Sequence, residues 1–261
     1  MAVMDGSTAD VYYLEELAAN AWTAEVVQLV DGWRFRYTPG VSSRRVNSVW
    51  PNNIGRYLTV EEKLALVEAF YARRRLPARF QISPAAQPTN LDDILAERGY
   101  GIDAPTFVQT VPIRSILQQL PANQETVTFQ TTLPGDWFDF QVAQYQLNEA
   151  QIAARKAAFW RIGPQSVFAL VKIDGETAGI GLGILERGWL GVFNMLTHPD
   201  MRRLGIATAV LHALAGWGQA HGANWAYLQV MEDNPQARSL YGRAGFVAKY
   251  QYYYRQRFIN E

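Results

Sequence analysis

Apolar residues recur along this chain with two periods, and the alternation between them predicts its elements. Val11 to Ala21 places Leu14, Leu17 and Ala18 on one face and predicts a helix. Trp33–Tyr37 alternates aromatic residues with Arg and predicts a strand, and Pro39-Gly40 marks a turn. Arg45–Trp50 predicts a second strand, closed by Pro51. Thr59 and Glu62 have the spacing of a capping box, and Leu64, Val67, Phe70 and Tyr71 continue at helical spacing behind them. Arg79–Ser83 predicts a strand. Leu91, Ile94 and Leu95 predict a helix ended by Gly99, and Thr106–Pro112 predicts a further strand.

The pattern restarts after residues 121–124, Pro121-Ala122-Asn123-Gln124, the expected linker. Val127–Thr131 predicts a strand and Asp139–Ile162 a helix. Ser166–Ile173 and Thr177–Leu185 predict two strands joined by the Asp174-Gly175 turn. Leu190–Leu196 predicts a strand. Ile206–Gln219 predicts a helix with Val210, Leu211, Leu214 and Trp217 on one stripe. Trp225–Val230 predicts a strand, Pro235–Arg243 a helix ended by Gly245, and Phe246–Arg257 a Tyr-rich strand. The two halves share an order: strand, strand, Pro, helix, strand, short helix, Gly-aromatic, strand. "AERGYG" at 96–101 echoes "GRAGFV" at 242–247. A tandem repeat of one α/β unit of the α+β type follows, each copy a mixed twisted sheet flanked by helices. Two unrelated α/β domains are the alternative. The expected domains are 1–120 and 125–261.

Composition narrows the chemistry. The chain has 261 residues, 49% of them apolar, enough for two modest cores. Lys+Arg and Asp+Glu number 24 each, so no net charge favours nucleic acid or an anionic membrane. There is no Cys, which excludes disulfides, thiolate metal sites and Cys nucleophiles. His198, His212 and His221 lack a zinc spacing, so no metal is expected. Neither a signal peptide nor an 18-residue apolar run is present, and a soluble cytoplasmic protein is the expectation.

The informative segment is "NMLTHPDMRRLGIATAVLHAL" at 194–214. A strand ends, a loop carries Arg202, Arg203 and Gly205, and a helix begins. A helix start offers unpaired N–H groups to a phosphate, and Gly205 lets backbone approach it. An ordinary loop before a helix is the plainer reading. "MEDNPQARSLYGRAGF" at 231–246 then carries Asn234 and Tyr241. Asn234 reads either as an amide facing a ligand or as a helix N-cap with Pro235 at the first helical position. Tyr241 reads as a packed aromatic or a functional phenol.

Together, R-x-x-G-x-A at 202–207 and N-P-x-A-x-x-L-Y-x-x-x-G-F at 234–246 resemble the acetyl-CoA signature of the GCN5-related N-acetyltransferases (GNAT). The resemblance covers about residues 127–258. It implies an acetyl-CoA-dependent N-acetyltransferase, with acetyl-CoA as cosubstrate. Arg203, Leu204, Gly205, Ile206, Ala207 and Thr208 would form the pyrophosphate loop. Met195, Leu196 and Thr197 would pair by their backbone with the pantetheine arm. Asn234 would contact it, and Tyr241 would be the general acid. A backbone N–H near Leu196 would face the carbonyl oxygen. The implied partner is a small-molecule amine or a peptide, with a homodimer as the assembly to test. Many relatives carry a Glu on the strand before the loop. Here Gly191-Val192-Phe193-Asn194-Met195 holds no carboxylate. Glu186 and Glu232 are the nearest acids, and Glu232 also reads as a solvated loop acid. A non-catalytic acyl-CoA sensor or scaffold is the rival reading.

The N-terminal half reads as a degenerate copy. Its loop, "PNNIGRYLTVEE" at 51–62, holds Gly55 without the signature spacing, and Glu61 and Glu62 would repel phosphate. It is expected to bind no acetyl-CoA. Arg44, Arg45 and Arg73–Arg75 read as a solvated face or as a basic surface for an acidic acceptor. Trp137, Phe138, Phe140, Tyr145, Phe159 and Trp160 occupy the segment that usually sets the acceptor in the family.

Overall fold

The computed structural model describes residues 8–121 and 126–258. Ala122, Asn123 and Gln124 of the expected linker lie outside the described residues. The first half runs α1 (Thr8–Ala21), β1 (Val26–Val30), β2 (Trp33–Tyr37), β3 (Val49–Trp50), α2 (Val60–Ala72), β4 (Ala78–Ile82), α3 (Leu91–Glu97), β5 (Gly101–Pro112) and α4 (Ile113–Gln119). The second runs β6 (Val127–Gln130), α5 (Gly135–Tyr145), α6 (Glu149–Trp160), β7 (Gln165–Ile173), β8 (Glu176–Glu186), β9 (Trp189–Thr197), α7 (Ile206–Ala220), β10 (Trp225–Met231), α8 (Pro235–Arg243) and β11 (Val247–Arg257). Among the described residues, no helix is long and apolar enough to cross a membrane.

All eleven strands join one mixed sheet, in the order β1-β2-β3-β4-β11-β5-β10-β9-β8-β7-β6. The order exposes an exchange. β11, the last strand of the second half, pairs with β4 of the first, and β5, the last strand of the first, pairs with β10 of the second. β5 and β11 also pair with each other. The repeated order in the sequence thus becomes two copies that swap their final strands.

Two expectations are corrected. Arg45–Trp50 is not a continuous strand: Arg44–Val46 is a short 3-10 turn and only Val49–Trp50 pairs. The Asn47 side chain accounts for the break. Its Oδ1 accepts from Thr38 N at 2.9 Å and its Nδ2 donates to Val41 O at 2.7 Å, which ties the segment into a local turn. Asp139–Ile162 is two helices. Gln146 stops the first at φ 49, and Asn148 with Gln151 forms a full capping box for the second. β1 and α4 were not expected: β1 shows four exposed positions in five and so lacks the alternating signal.

The sheet has a packed layer on each face of the second half. On one, α7 lays Val210, Leu211 and Leu214 over β7, β8 and β9. Glycines on β8 allow the close approach: a Cβ at Gly179 would lie 2.4 Å from Ile206 Cγ2, and one at Gly181 2.6 Å from Val210 Cγ1. On the other face, α1, α5 and α6 cover Phe168, Leu182, Tyr227 and the β11 tyrosines. Trp137 anchors this layer, fully buried against Phe159 and Phe168, with its indole N–H donated to Gly181 O at 3.1 Å.

This second layer contains a buried carboxylate. Glu15 of α1 is 1% exposed and accepts from Tyr250 Oη and Gln81 Nε2, both at 2.8 Å. Burial, the largest influence, pushes its pKa above the ordinary 4.5 despite these hydrogen bonds and nearby Arg36. The folded chain therefore holds this proton to higher pH than the unfolded chain. Stability from this group is full below 4.5 and falls as pH rises toward the folded value. Glu15→Gln removes the titration. The expected result is a shallower decline of thermal midpoint as pH rises above about 4.5 than in the wild type. Equal slopes would show that burial does not shift Glu15.

Candidate functional site

β9 and β10 run parallel and pair from Trp189 opposite Trp225 to Val192 opposite Leu228. Past that rung β9 continues to Thr197 and β10 to Met231, with no pairing between them. The cause lies on the other side of β9. Its register with β8 slips between Leu182↔Phe193 and Ile180↔Leu196, so Asn194 and Met195 together oppose Gly181. Such a bulge bends a strand, and Asn194 sits at φ 50. β10 meanwhile stays on β5 through Met231 opposite Thr106. The two strands splay into a wedge. Its walls are the main chain of residues 193–197 and 229–231, whose facing amides and carbonyls lack a ladder partner across the gap. Such groups require solvent or a ligand.

Each wall of the wedge leads into a helix start. From β9 the chain makes a short turn at Pro199–Met201, passes Arg203 at φ 67 and reaches Gly205 at φ 83, the residue before α7. A side chain is strained at that φ, and glycine is not. The amides of Ile206, Ala207 and Thr208 open the helix and have no intrahelical acceptor. Arg203 and Leu204 are exposed beside them, while Met195, Leu196 and Thr197 are half-buried along the β9 wall. A run of open amides at a helix's positive end suits a diphosphate, and an unpaired strand edge suits an amide-bearing chain.

From β10 the chain reaches Asn234, which caps α8: its Oδ1 accepts from Ala237 N at 3.0 Å. The capping role is thus real, and the amide nitrogen is the part left to face outward. Tyr241 on α8 is 7% exposed, in the same apolar cluster as Ile206 and Val230, with its ring 5.7 Å from that of Phe246. Burial pushes its pKa up to about 12. Its hydroxyl has no hydrogen-bond partner among the described residues. The Gly205 loop and Asn234 thus each follow one wall of the wedge, and Tyr241 lies on the helix that Asn234 caps.

Of the candidate bases, Glu186 is remote from the wedge and Glu232 stands at its mouth. Glu186 lies opposite Trp189, at the paired end of β9, where it accepts from Asn20 Nδ2 at 3.0 Å and bridges Arg187 at 3.3 Å. Glu232 is exposed just beyond β10. His198 Nδ1 accepts from Asp200 N at 3.3 Å, which fixes its turn.

Two arginines that no spacing rule singles out as a pair reach the wedge on the face opposite α7. Arg155 of α6 donates from Nε to Gln141 Oε1 at 2.5 Å and from Nη2 to Asn194 Oδ1 at 3.3 Å, with its guanidinium 4.8 Å from the Tyr145 ring. Arg45 donates from Nε to Tyr252 Oη at 3.3 Å, and that hydroxyl donates to Gln229 Oε1 at 3.1 Å. Asn194 and Gln229 stand on opposite walls.

The first half builds its corresponding loop differently. There the Asp31 carboxylate accepts from the amides of Arg56, Tyr57 and Leu58 at 2.8, 3.0 and 2.9 Å. These hydrogen bonds, with help from Lys63, hold its pKa far below the usual carboxylate range. An internal anion occupies those loop amides.

A family model described as "Probable histone acetyltransferase Rv0428c C-terminal" matches residues 8–255. The chain is 29% identical over 247 residues to the uncharacterized N-acetyltransferase YobR of Bacillus subtilis, covering 94% of this chain and 98% of that protein. Its fold is similar to a GCN5-related N-acetyltransferase from Kribbella flavida, with a TM-score of 0.67, 16% identity, and coverage of 99% and 98% of the two chains. It is also similar to a tandem GNAT protein from the clavulanic acid biosynthesis pathway, with a TM-score of 0.61, 14% identity, and coverage of 77% and 70%.

Proposed function

Because the chain belongs to the GCN5-related N-acetyltransferases, in the branch whose model spans residues 8–255, we propose that it transfers acetyl from acetyl-CoA to a primary amine of a small molecule or peptide. The observation that carries this reading is the wedge between β9 and β10, opening onto two helix starts. In it, the residues from Arg203 to Thr208 hold the pyrophosphate, and the β9 edge at Met195, Leu196 and Thr197 pairs with the pantetheine arm. Asn234 offers its amide nitrogen to the same arm. Acetyl-CoA supplies an acyl group already activated as a thioester. The catalytic half is 125–261, and the first half carries no acetyl-CoA, since Asp31 already takes its loop amides.

The chain's own tasks are proton handling and charge stabilisation. A backbone N–H near Leu196 faces the carbonyl oxygen, where negative charge develops. Tyr241, like any phenol, carries its proton at neutral pH, and it protonates the departing thiolate. The acceptor amine must shed a proton, given an ordinary pKa of roughly 10. No carboxylate stands on β9 to take it, so water in the wedge does so. That same lack favours the rival reading of a non-catalytic acyl-CoA sensor.

Calorimetry tests the cofactor half of the proposal. Acetyl-CoA is expected to bind with a micromolar Kd at one site per chain. No binding by the folded protein would overturn the transferase reading, and two sites would overturn the silence of the first half. Release of free CoA only when an amine is present would separate enzyme from sensor.

A further inference from the structure

We propose that the acceptor carries a carboxylate beside its reactive amine, in the manner of a free amino acid or a short acidic peptide, and that Arg155 and Arg45 receive it. This rests on the transferase reading and names its substrate class.

The acceptor must approach the wedge from the face not covered by α7. On that face a guanidinium hangs over each wall: Arg155 on Asn194 of β9, and Arg45 on Gln229 of β10 through Tyr252. Neither forms an ion pair with any described carboxylate, whereas Arg44, Arg187, Arg255 and Arg257 all do. Arg155 is held by neutral groups only, namely Gln141, Asn194 and the Tyr145 ring. Gln141 is fully buried, and its Nε2 has no hydrogen-bond partner. A half-buried cation with neutral supports and a spare donor beside it is arranged to receive an anion.

The rest of the face agrees. Glu15 is the one carboxylate among the buried side chains of the described residues, and it is already engaged by Tyr250 and Gln81. A polyamine or a Lys-rich tail would bring extra ammonium groups to these two guanidiniums, and the nearest acid, Glu232, is exposed beyond the end of β10. A carboxylate-bearing amine neutralises the face instead.

The test measures free-CoA release with the twenty amino acids, their carboxamides, spermidine and poly-lysine as acceptors, alongside Arg155→Gln and Arg45→Gln variants. At least one free acid should be turned over, with kcat/KM about 10–100-fold above its own amide. Either variant should erase that preference by raising KM for the acid, with acetyl-CoA affinity within about twofold of wild type as the control for folding. Equal use of acid and amide, preference for spermidine or poly-lysine, or no turnover of any amino acid by a protein that binds acetyl-CoA would each overturn the proposal. If acetyl-CoA itself does not bind, the transferase reading fails separately. The anion site is then read from the thermal shift given by the same amino acids, expected in the wild type and lost in both variants. No shift in the wild type overturns it.

Discussion

Gly205→Glu is expected to weaken acetyl-CoA binding by about ten- to a thousandfold, from two independent effects. Gly205 sits at φ 83 immediately before α7. Any L-residue there is strained by about 1–2 kcal/mol in the left-handed region, which pulls the loop out of shape. Glutamate also brings a carboxylate to the helix's positive end, where the pyrophosphate is proposed to lie. The first half displays the outcome in native form: Asp31 fills its loop with a carboxylate bonded to Arg56, Tyr57 and Leu58. Gly205→Ala separates the two effects, since it adds strain without charge, and its loss should be intermediate. Calorimetry on both variants measures this. A Gly205→Glu protein that binds within tenfold of wild type would show that the pyrophosphate does not occupy this loop. A cooperative thermal transition in the same sample excludes misfolding as the cause of any loss.

What was legible in the sequence follows from how local its cause is. The Asp174-Gly175 turn, the Thr59–Glu62 cap and the helix from Ile206 are each specified by residues a few positions apart, and each forms as expected. So is the loop with Gly205, because a positive φ before a helix leaves a glycine in the text. The wedge is not legible this way. It arises because two residues of β9 oppose one of β8, and a bulge of this kind leaves only a glycine and an asparagine, Gly181 and Asn194, behind. The exchange of β5 and β11 is also hidden, since each strand would read the same beside either partner. Arg155 and Arg45 belong to the same class. Each is one cation among 24 in the sequence, and only the fold brings it to a wall of the wedge. Arg45 reads in the sequence as part of a solvated face or of a basic surface for an acidic acceptor, and neither reading names Tyr252 as its setting. The break of the 139–162 helix was legible in principle, because Asn148 and Gln151 spell a capping box. The helical apolar pattern on both sides masked it.

Tyr241→Phe is expected to lower kcat by about a hundredfold while leaving the Kd for acetyl-CoA within about twofold. The two numbers differ because the ring and the hydroxyl have different tasks. The ring packs against Phe246 in the cluster that also holds Ile206 and Val230, so it supports the wedge, and Phe preserves that contact. The hydroxyl makes no hydrogen bond among the described residues, so its removal leaves no buried partner unsatisfied. A merely structural Tyr241 would therefore tolerate Phe with unchanged turnover, and that result would remove it as the acid. Burial pushes its pKa up to about 12, which keeps it protonated through the neutral range and makes it a weaker acid than a free phenol. Proton delivery to a thiolate, with an ordinary pKa near ~8.5, is then uphill unless the thiolate's developing charge draws the proton across in the transition state. That requirement gives the prediction its second readout. Substituting a thioester whose thiol has a lower pKa should shrink the gap between Tyr241→Phe and wild type, because a better leaving group needs the proton less. A gap that stays constant across such thioesters would place the hydroxyl's effect outside the proton transfer.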